Sequence, residues 1–392
     1  MHSHELFHIF QFLKNKELDE LYLCVALKYL AVSMIGVFIP IYLITQGYSL
    51  FYVLLFFTLM SFSHMIGVLF AAKISCKIGF KHSILLSVPF LLAFYILLDL
   101  LSQFPFLFFI TAILYGIQSS MFWTAFHTDF THFSEKKTLG KSVGFVKLVV
   151  KLSNVFGPLV GGLVITFFGF NTLFLIVSAL LLFSTIPLFF TKDSSSRHVF
   201  SVTNLFKGKR LRDYLGLAGF GIESTGAILW PIFIFFLVFN NFAEVGVVTS
   251  LSLFVSVLFI LFIGFFSDLR RKLLMRFGSV FNSFVWVLRT FSITSLLVFI
   301  SNSLYGFSKM ASTIPFDALS YDKATKFDRR LEFTAFREFA IHSARVFTFA
   351  SLAVFTYFLS KWFLIADNQF YIVSVVSFLL CAVGSLFFWF FS

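Results

Sequence analysis

Apolar residues occur along almost the whole chain in long stretches, separated by short breaks that contain Gly, Pro, Asn or charged residues. A helix that crosses a membrane needs about 20 consecutive apolar residues. Twelve such stretches, called spans 1 to 12 here, fall at residues 21–45, 50–72, 83–101, 105–126, 143–168, 171–190, 214–239, 246–267, 274–292, 296–318, 335–359 and 370–391. The pattern predicts an all-α membrane protein with twelve transmembrane helices.

The composition excludes a soluble enzyme. Of the 392 residues, 59% are hydrophobic and 12% are charged, whereas about 25% of the residues in an ordinary soluble domain are charged. Most of the surface must therefore face lipid. The longest predicted connection is 191–213, so we expect no extramembrane domain. Span 1 lacks a signal-peptide cleavage pattern and is expected to remain as a helix.

The basic residues lie mainly on one side of this topology. If the N-terminus is inside, 22 of the 30 Lys and Arg residues fall at inner loops and inner span ends, against Arg289 and Lys361 on the outer side. Basic residues near span ends are retained on the cytoplasmic side. We therefore expect a multi-pass protein of the cell membrane with both termini in the cytoplasm. This topology accounts for the net charge of +12, so no nucleic-acid partner is expected.

The two halves of the chain are similar at an offset of 191 to 193 residues. The sequence around Pro40 in span 1 aligns with that around Pro231 in span 7. Duplicated bundles of this kind are typical of transporters. The repeat predicts an N-terminal six-helix bundle over 1–190, a cytoplasmic linker over 191–213 and a C-terminal bundle over 214–392.

Twelve spans in two halves, with a motif after the second span of each half, resemble the major facilitator superfamily. The family's motif A reads G-x-L-A-D-R-x-G-R-K, and GFFSDLRRK matches it at Gly264, Asp268 and the basic cluster with Arg271. The N-terminal copy is degraded, because Cys76 stands at the acidic position, although Lys77 and Gly79 remain. The resemblance implies that Asp268 acts as a gate that latches the two halves together; the alternative is that it only caps a loop.

The string GPLVGGL in span 5 matches the core of motif C, as in proton-coupled drug antiporters. Its residues are Gly157, Pro158, Gly161 and Gly162. The resemblance implies a bend that seals the leak path during export; the alternative is tight packing against span 8, since small residues let helix backbones approach closely. The motif B arginine of span 4 is absent, and Ala112 stands there.

Ionisable residues inside spans are the best candidates for a functional site, because they are costly in lipid and normally face a partner or a water-filled cavity. Glu223 lies about ten residues into span 7, where it would exchange protons during coupling or hold a neighbouring helix by a hydrogen bond. Lys28 occupies the matching region of span 1. We expect an ion pair between Lys28 and Glu223, with snorkelling of Lys28 to the interface as the alternative.

Span 11 carries Glu338, His342 and Arg345 on one helical face. Glu338 lies only about one turn inside, where it could instead pair with Lys77. Lys151 in span 5 is deep enough to meet a cavity or an anionic substrate, whereas Lys147 is expected to snorkel to the interface.

Four further residues are candidates for coupling or substrate binding: Lys309, Gln118, Trp123 and His64. Trp123 shares a face of span 4 with His127 and Gln118 points the opposite way, so at most one of these sets can line a cavity. Asp99 and Asp317, near span ends, are expected to be solvated. The three cysteines show no disulfide or zinc spacing, and no metal site is expected.

The resemblance and the buried charges lead to three interpretations. The first is a secondary active transporter that expels a lipophilic or amphipathic compound by proton antiport. The second is import or exchange of a small organic or phosphorylated anion, because deep cations outnumber deep carboxylates. The third is a scaffold or receptor that kept the fold and lost transport. We expect no enzyme activity and no cofactor, a proton gradient as the energy source, the lipid bilayer and a small molecule as partners, and a monomer.

Overall fold

A computed structural model describes residues 16–133, 139–189, 200–207, 211–326, 330–361 and 366–391. Over these residues the chain is helical and contains no strand. The helices of the N-terminal half are Lys16–Gly36, Ile39–Thr45, Leu50–Ile78, Phe80–Leu100, Phe108–Phe133 and Leu139–Phe183. Those of the C-terminal half are Leu211–Ser224, Gly226–Ile234, Phe242–Arg289, Ser295–Lys326, Arg330–Leu359 and Ala366–Leu386, and a short helix, Val202–Phe206, precedes them. The predicted all-α fold is confirmed.

Breaks inside the longest helices produce twelve spans. Leu139–Phe183 turns at Gly169, where φ is +80°, so spans 5 and 6 form one helical run with a sharp corner. Phe242–Arg289 is interrupted at Arg270, which separates span 8 from span 9. Spans 1 and 7 each consist of consecutive helices, and Pro40 and Pro231 lie in the second helix of each.

Nine stretches of the described chain are long and apolar enough to cross a membrane, and one of them, Ser142–Phe183, contains both span 5 and span 6. Spans 9 and 10 are helical but are not among the nine, because they carry more polar residues. Large apolar side chains such as Phe106, Phe167 and Leu175 are 75%, 73% and 73% exposed. Such surfaces are stable only against lipid.

The two halves contact each other through spans 5 and 8 and through spans 2 and 11. At one end of the molecule, the side chains of Phe51 and Tyr357 meet with ring centroids 5.9 Å apart. At the other end, which carries the basic loops and is called the basic end here, His127 Nδ1 lies 2.6 Å from Tyr321 Oη. The halves therefore touch at both ends, with space left between them.

The glycines of span 5 allow close packing, but not only against the predicted neighbour. A Cβ atom added at Gly157 or Gly161 would clash with span 1, at Ser33 and Met34 respectively. One added at Gly162 would lie 2.5 Å from the carbonyl oxygen of Phe242, at the start of span 8. The expectation of packing against span 8 alone is thus incomplete, because different turns of span 5 face span 1 and span 8.

Candidate functional site

Three adjoining chambers lie between the two halves. The outer chamber, which lies toward the end opposite the basic loops, has a volume of about 400 Å³. The basic-end chamber measures about 250 Å³ and the side chamber about 280 Å³. Tyr29 lines the outer and basic-end chambers, and Arg345 lines the basic-end and side chambers. The three chambers therefore surround one central region.

A charge network joins the halves in the basic-end chamber. Asp317 of span 10 lies 2.7 Å from Lys147 Nζ of span 5 and accepts a 2.8 Å hydrogen bond from Arg337. Arg337 also donates to Glu338 at 2.6 Å. The expectation that Asp317 is solvated was wrong: it is 2% exposed, because two cations from neighbouring helices enclose it. Lys147 likewise turns into the chamber instead of snorkelling to the interface.

Glu338 also does not have the predicted partner. Lys77 is exposed at the basic end, while Glu338 is 4% exposed and faces Arg337, His64 and His127. Helix rotation decides this arrangement, since the charged face of span 11 turns toward spans 2 and 4. Arg337, which the sequence did not single out, is therefore part of the candidate site.

Histidines from both halves meet beside the side chamber. The rings of His64 and His342 stack with centroids 3.4 Å apart and an interplanar angle of 8°. His64 Nε2 lies 3.3 Å from Glu338 Oε2. Arg345 donates to Ser224 Oγ at 2.7 Å and lies 3.4 Å from His342 Nε2. Four sequence candidates, spread over spans 2 and 11, are thus brought together.

Two cations, Lys151 and Arg289, line the outer chamber. Arg289 was assigned to the outer side by the predicted topology, and there it is 1% exposed. Its guanidinium carbon lies 3.9, 4.2 and 4.5 Å from the ring centroids of Tyr305, Trp230 and Trp286, and it donates to Asn302 Oδ1 at 2.7 Å. The aromatic residues allow this because cations bind the faces of such rings.

No carboxylate lines the outer chamber in the described part of the chain. Within the same described residues, none lies at ion-pair distance from Lys151 or Arg289. The sequence carried one usable signal for this site, namely the spacing of Asn302 and Tyr305 by three residues on span 10, which places both on one helical face.

Glu223 forms its contacts within the C-terminal half. Its Oε1 atom accepts hydrogen bonds from Asn282, Trp286 and Tyr305, each at 3.1 Å, and its Oε2 atom forms an ion pair with Lys309. Gly226 leaves room for the Trp286 ring against span 7. All four donors come from spans 9 and 10, and Glu223 itself is completely buried.

The predicted pair between Lys28 and Glu223 does not form. Lys28 Nζ instead lies 3.0 Å from the ring centroid of Phe122 in span 4. Lys28 is 9% exposed, so it does not snorkel to the surface either. The pair fails because Lys309 is closer to Glu223 in its own half, a contact that repeat alignment could not reveal.

Three of the predicted candidates remain, namely Trp123, Gln118 and Lys309. Trp123 stacks on His127 with ring centroids 5.0 Å apart and lines two chambers. Gln118 is 2% exposed and lies on the opposite face of span 4, as the helical spacing predicts. Lys309 is held by Glu223.

Of the motif A residues, Gly79 links spans 2 and 3 with a φ of +97°, a conformation that favours glycine. Arg271 follows the break between spans 8 and 9. The side chain of Asp268 and the surroundings of Gly264 are outside what the structure describes, so the latch remains a prediction.

Comparison with known proteins places these features in a family. The sequence model of the Major Facilitator Superfamily matches residues 21–242. The crystal structure of the E. coli fucose:proton symporter FucP is similar to this chain with a TM-score of 0.66 and 12% sequence identity, over 96% of this chain and 98% of that one. At that identity the likeness concerns the fold alone. A search of curated proteins finds no match.

Proposed function

Because the chain belongs to the major facilitator superfamily, and is therefore a transporter and not an enzyme, we propose that it carries a small anion across the membrane by alternating access. The anion is an organic acid or a phosphorylated metabolite, the second of the interpretations that the sequence suggested. The single observation that carries this proposal is the pair of unpaired cations in the outer chamber.

Lys151 and Arg289 come from different halves, span 5 and span 9, and line the same chamber. A buried charge without a counter-charge costs several kcal/mol. An anion between the two side chains would supply the missing charge and would replace repulsion across the halves by attraction. Since a ligand shifts a conformational equilibrium through its differential affinity for the two states, anion binding would favour closure of the halves around it.

The wider charge distribution supports the same substrate class. Five cationic side chains line the three chambers, Lys147, Lys151, Arg289, Arg337 and Arg345, whereas the carboxylates that line them are Asp317 and Glu338. The central region therefore carries an excess of three positive charges. Apolar side chains such as Trp230 and Ile228 line the rest of the outer chamber, which suits an anion with a carbon skeleton.

Proton-coupled export of a lipophilic compound, the first of the sequence interpretations, stays a prediction supported by the GPLVGGL string. Coupling through Glu223 also stays a prediction. The four donors around Glu223 favour a positioning role, because protonation would remove the counter-charge of Lys309 and would weaken the acceptor that the other three donors share. If Glu223→Gln transports as well as the wild type under every proton gradient, the coupling hypothesis fails.

The remaining functional expectations are retained on sequence grounds. Both termini face the cytoplasm of a cell membrane, because the basic loops cluster on one side. The protein works as a monomer, without a bound cofactor and with an ion gradient as its energy source. Labelling of single cysteines introduced in the loops, from either side of intact cells, tests this orientation.

The substrate proposal can be tested with a panel of probes on purified protein: succinate, inorganic phosphate, glucose 6-phosphate and the lipophilic cation tetraphenylphosphonium. We expect an anion to raise the melting temperature and to exchange across liposomes that contain the protein. Arg289→Gln should weaken anion affinity by about 10- to 100-fold, because a charge-assisted contact is lost.

Lys361→Gln is the matched control for this test, since it removes one positive charge from an exposed loop. It should leave the anion affinity unchanged. Stabilisation by tetraphenylphosphonium alone, or an anion affinity that Arg289→Gln does not alter, would overturn the proposal.

A further inference from the structure

A second cluster between the halves has the composition of a metal site. His64 of span 2 and Glu338 and His342 of span 11 each offer one ligand atom, and these atoms lie within 4.8 Å of one another. The three residues are 0%, 4% and 6% exposed. Two histidines with one glutamate form a ligand set that proteins use for zinc.

Polar atoms of this cluster have no hydrogen-bond partner. Nδ1 of His64 and Nδ1 of His342 form no hydrogen bond, and Nε2 of His64 has only an unaligned contact with Glu338 Oε2 at 3.3 Å. A buried polar atom without a partner costs free energy. A metal ion would satisfy part of this unused capacity once the stacked rings of His64 and His342 turn about χ2, because an imidazole lone pair lies in the plane of its ring and the two planes are now parallel.

The charged neighbours leave one carboxylate oxygen directed at the histidines. Arg337 donates to Oε1 of Glu338 and is also neutralised by Asp317. Oε2 is the atom that faces His64. His127 lies 3.6 Å from Oε1 and bonds with Tyr321, so it belongs to the other side of the carboxylate.

Arg345 opposes a cation at this place, because its Nη1 atom lies 3.4 Å from His342 Nε2. Its Nε donates to Ser224 Oγ, so this anchor holds the guanidinium when Nη1 releases the imidazole. The remaining repulsion makes the site selective for ions that bind imidazole strongly, and hard ions such as Mg²⁺ should not bind.

We propose that His64, Glu338 and His342 bind a divalent transition-metal ion of the Zn²⁺ type. The remaining coordination position would be filled by water from the side chamber, which His64 and His342 line. Because the ligands come from both halves, the bound ion would fasten span 2 to span 11 and arrest the alternation of the halves. This inference does not depend on the identity of the transported substrate.

The test is the melting temperature of the purified full-length protein with Zn²⁺, Co²⁺ or Mg²⁺. We expect Zn²⁺ and Co²⁺ to raise it by roughly 5 °C at saturation and Mg²⁺ to leave it unchanged. The rise should disappear as the pH falls from about 7.5 to about 5.5, since protons compete with the metal for the imidazoles. Bound Co²⁺ should also show visible absorption bands of a site with nitrogen and oxygen ligands.

Variants identify the ligands. His64→Ala should lower the Zn²⁺ affinity by about 100-fold, whereas the matched control His82→Ala, at an exposed histidine of span 3, should not change it. His127→Ala should also retain binding. His64→Cys should restore Zn²⁺ binding, which guards against a folding defect in the alanine variant, because thiolate is a zinc ligand.

No metal-dependent shift in the wild-type protein would overturn the proposal. An equal loss of Zn²⁺ binding in His82→Ala and His64→Ala would overturn it as well, since the bound ion would then lie elsewhere.

Discussion

Glu223 and Lys28 occupy matching regions of spans 7 and 1, yet their environments differ completely. Glu223 is surrounded by four donors, and its ion-pair partner Lys309 belongs to the same half. Lys28 has the face of Phe122, and no carboxylate in the described part of the chain lies at ion-pair distance from it. Glu223 is thus neutralised within its own half, whereas Lys28 has no counter-charge among the described residues.

This difference separates charges that hold a half together from charges that are available for function. The Glu223 cluster ties spans 7, 9 and 10 to one another and can move as a unit when the halves rock. The unpaired cations Lys151 and Arg289 instead face the space between the halves. A third arrangement, around Asp317, joins the halves directly through Lys147 of span 5, while Arg337 pairs with Asp317 from within the same half.

The largest effect should come from Glu223→Ala. The variant leaves Lys309 buried without its counter-charge and leaves three donors unsatisfied, so we expect a loss of about 3–5 kcal/mol in the free energy of unfolding. Thermal unfolding in detergent measures it. The double variant Glu223→Leu with Lys309→Met should recover part of the loss, because removing both charges ends the uncompensated burial. An unchanged free energy of unfolding in the single variant would mean that the Glu223 cluster does not hold spans 7, 9 and 10 together.

Asp317→Asn should have an intermediate effect, about 2 kcal/mol of lost stability. The side chain of Lys147 is 27% exposed, and Arg337 still has its ion pair with Glu338. Loss of the Asp317 charge therefore leaves these two cations better compensated than loss of the Glu223 charge leaves Lys309. The same unfolding measurement applies. Asp213→Asn is the matched control, because its partner Lys323 is partly exposed within one half, and it should cost less than about 1 kcal/mol. Equal losses in the two variants would contradict a special role for the pairs between the halves.

The smallest effect should come from Lys28→Met, which keeps the length of the stem and removes the charge. We expect a gain of about 0.5–1 kcal/mol, since burial of an unpaired ammonium costs more than its contact with one ring returns. Calorimetry or thermal unfolding of the variant beside wild type gives the sign. A clear loss of stability would show that Lys28 has a counter-charge and that the contrast with Glu223 is weaker than stated.

Much of the architecture could be predicted from the pattern of residues. The twelve spans and the all-α fold follow from lipid-length apolar stretches, because backbone groups in a bilayer must be satisfied within each segment. Helical periodicity also predicted that Trp123 and His127 lie on one face of span 4 and that Gln118 lies on the opposite face. These are properties of one helix at a time.

The partners of the buried charges were predicted less well. Glu223 was correctly expected to be buried, but the predicted pair with Lys28 was wrong, as was the expectation that Asp317 is solvated. Each error involves residues on different helices. Position near the end of a span is a poor guide to burial. Arg289 lies beside a loop in the sequence, yet three aromatic rings surround its guanidinium in the structure.

The amino-acid sequence by itself determined the solvent, the number of spans and the short set of ionisable side chains inside them, because hydropathy and helical period act locally along the chain. Only the tertiary structure decided which of these charges are neutralised and which face a chamber. Helix rotation and interhelical distance set those contacts, and the electrostatic energy of a pair changes steeply with distance in a medium of low dielectric constant. The meeting of His64 with His342 across the two halves is the clearest case, since nothing in spans 2 or 11 alone indicates it.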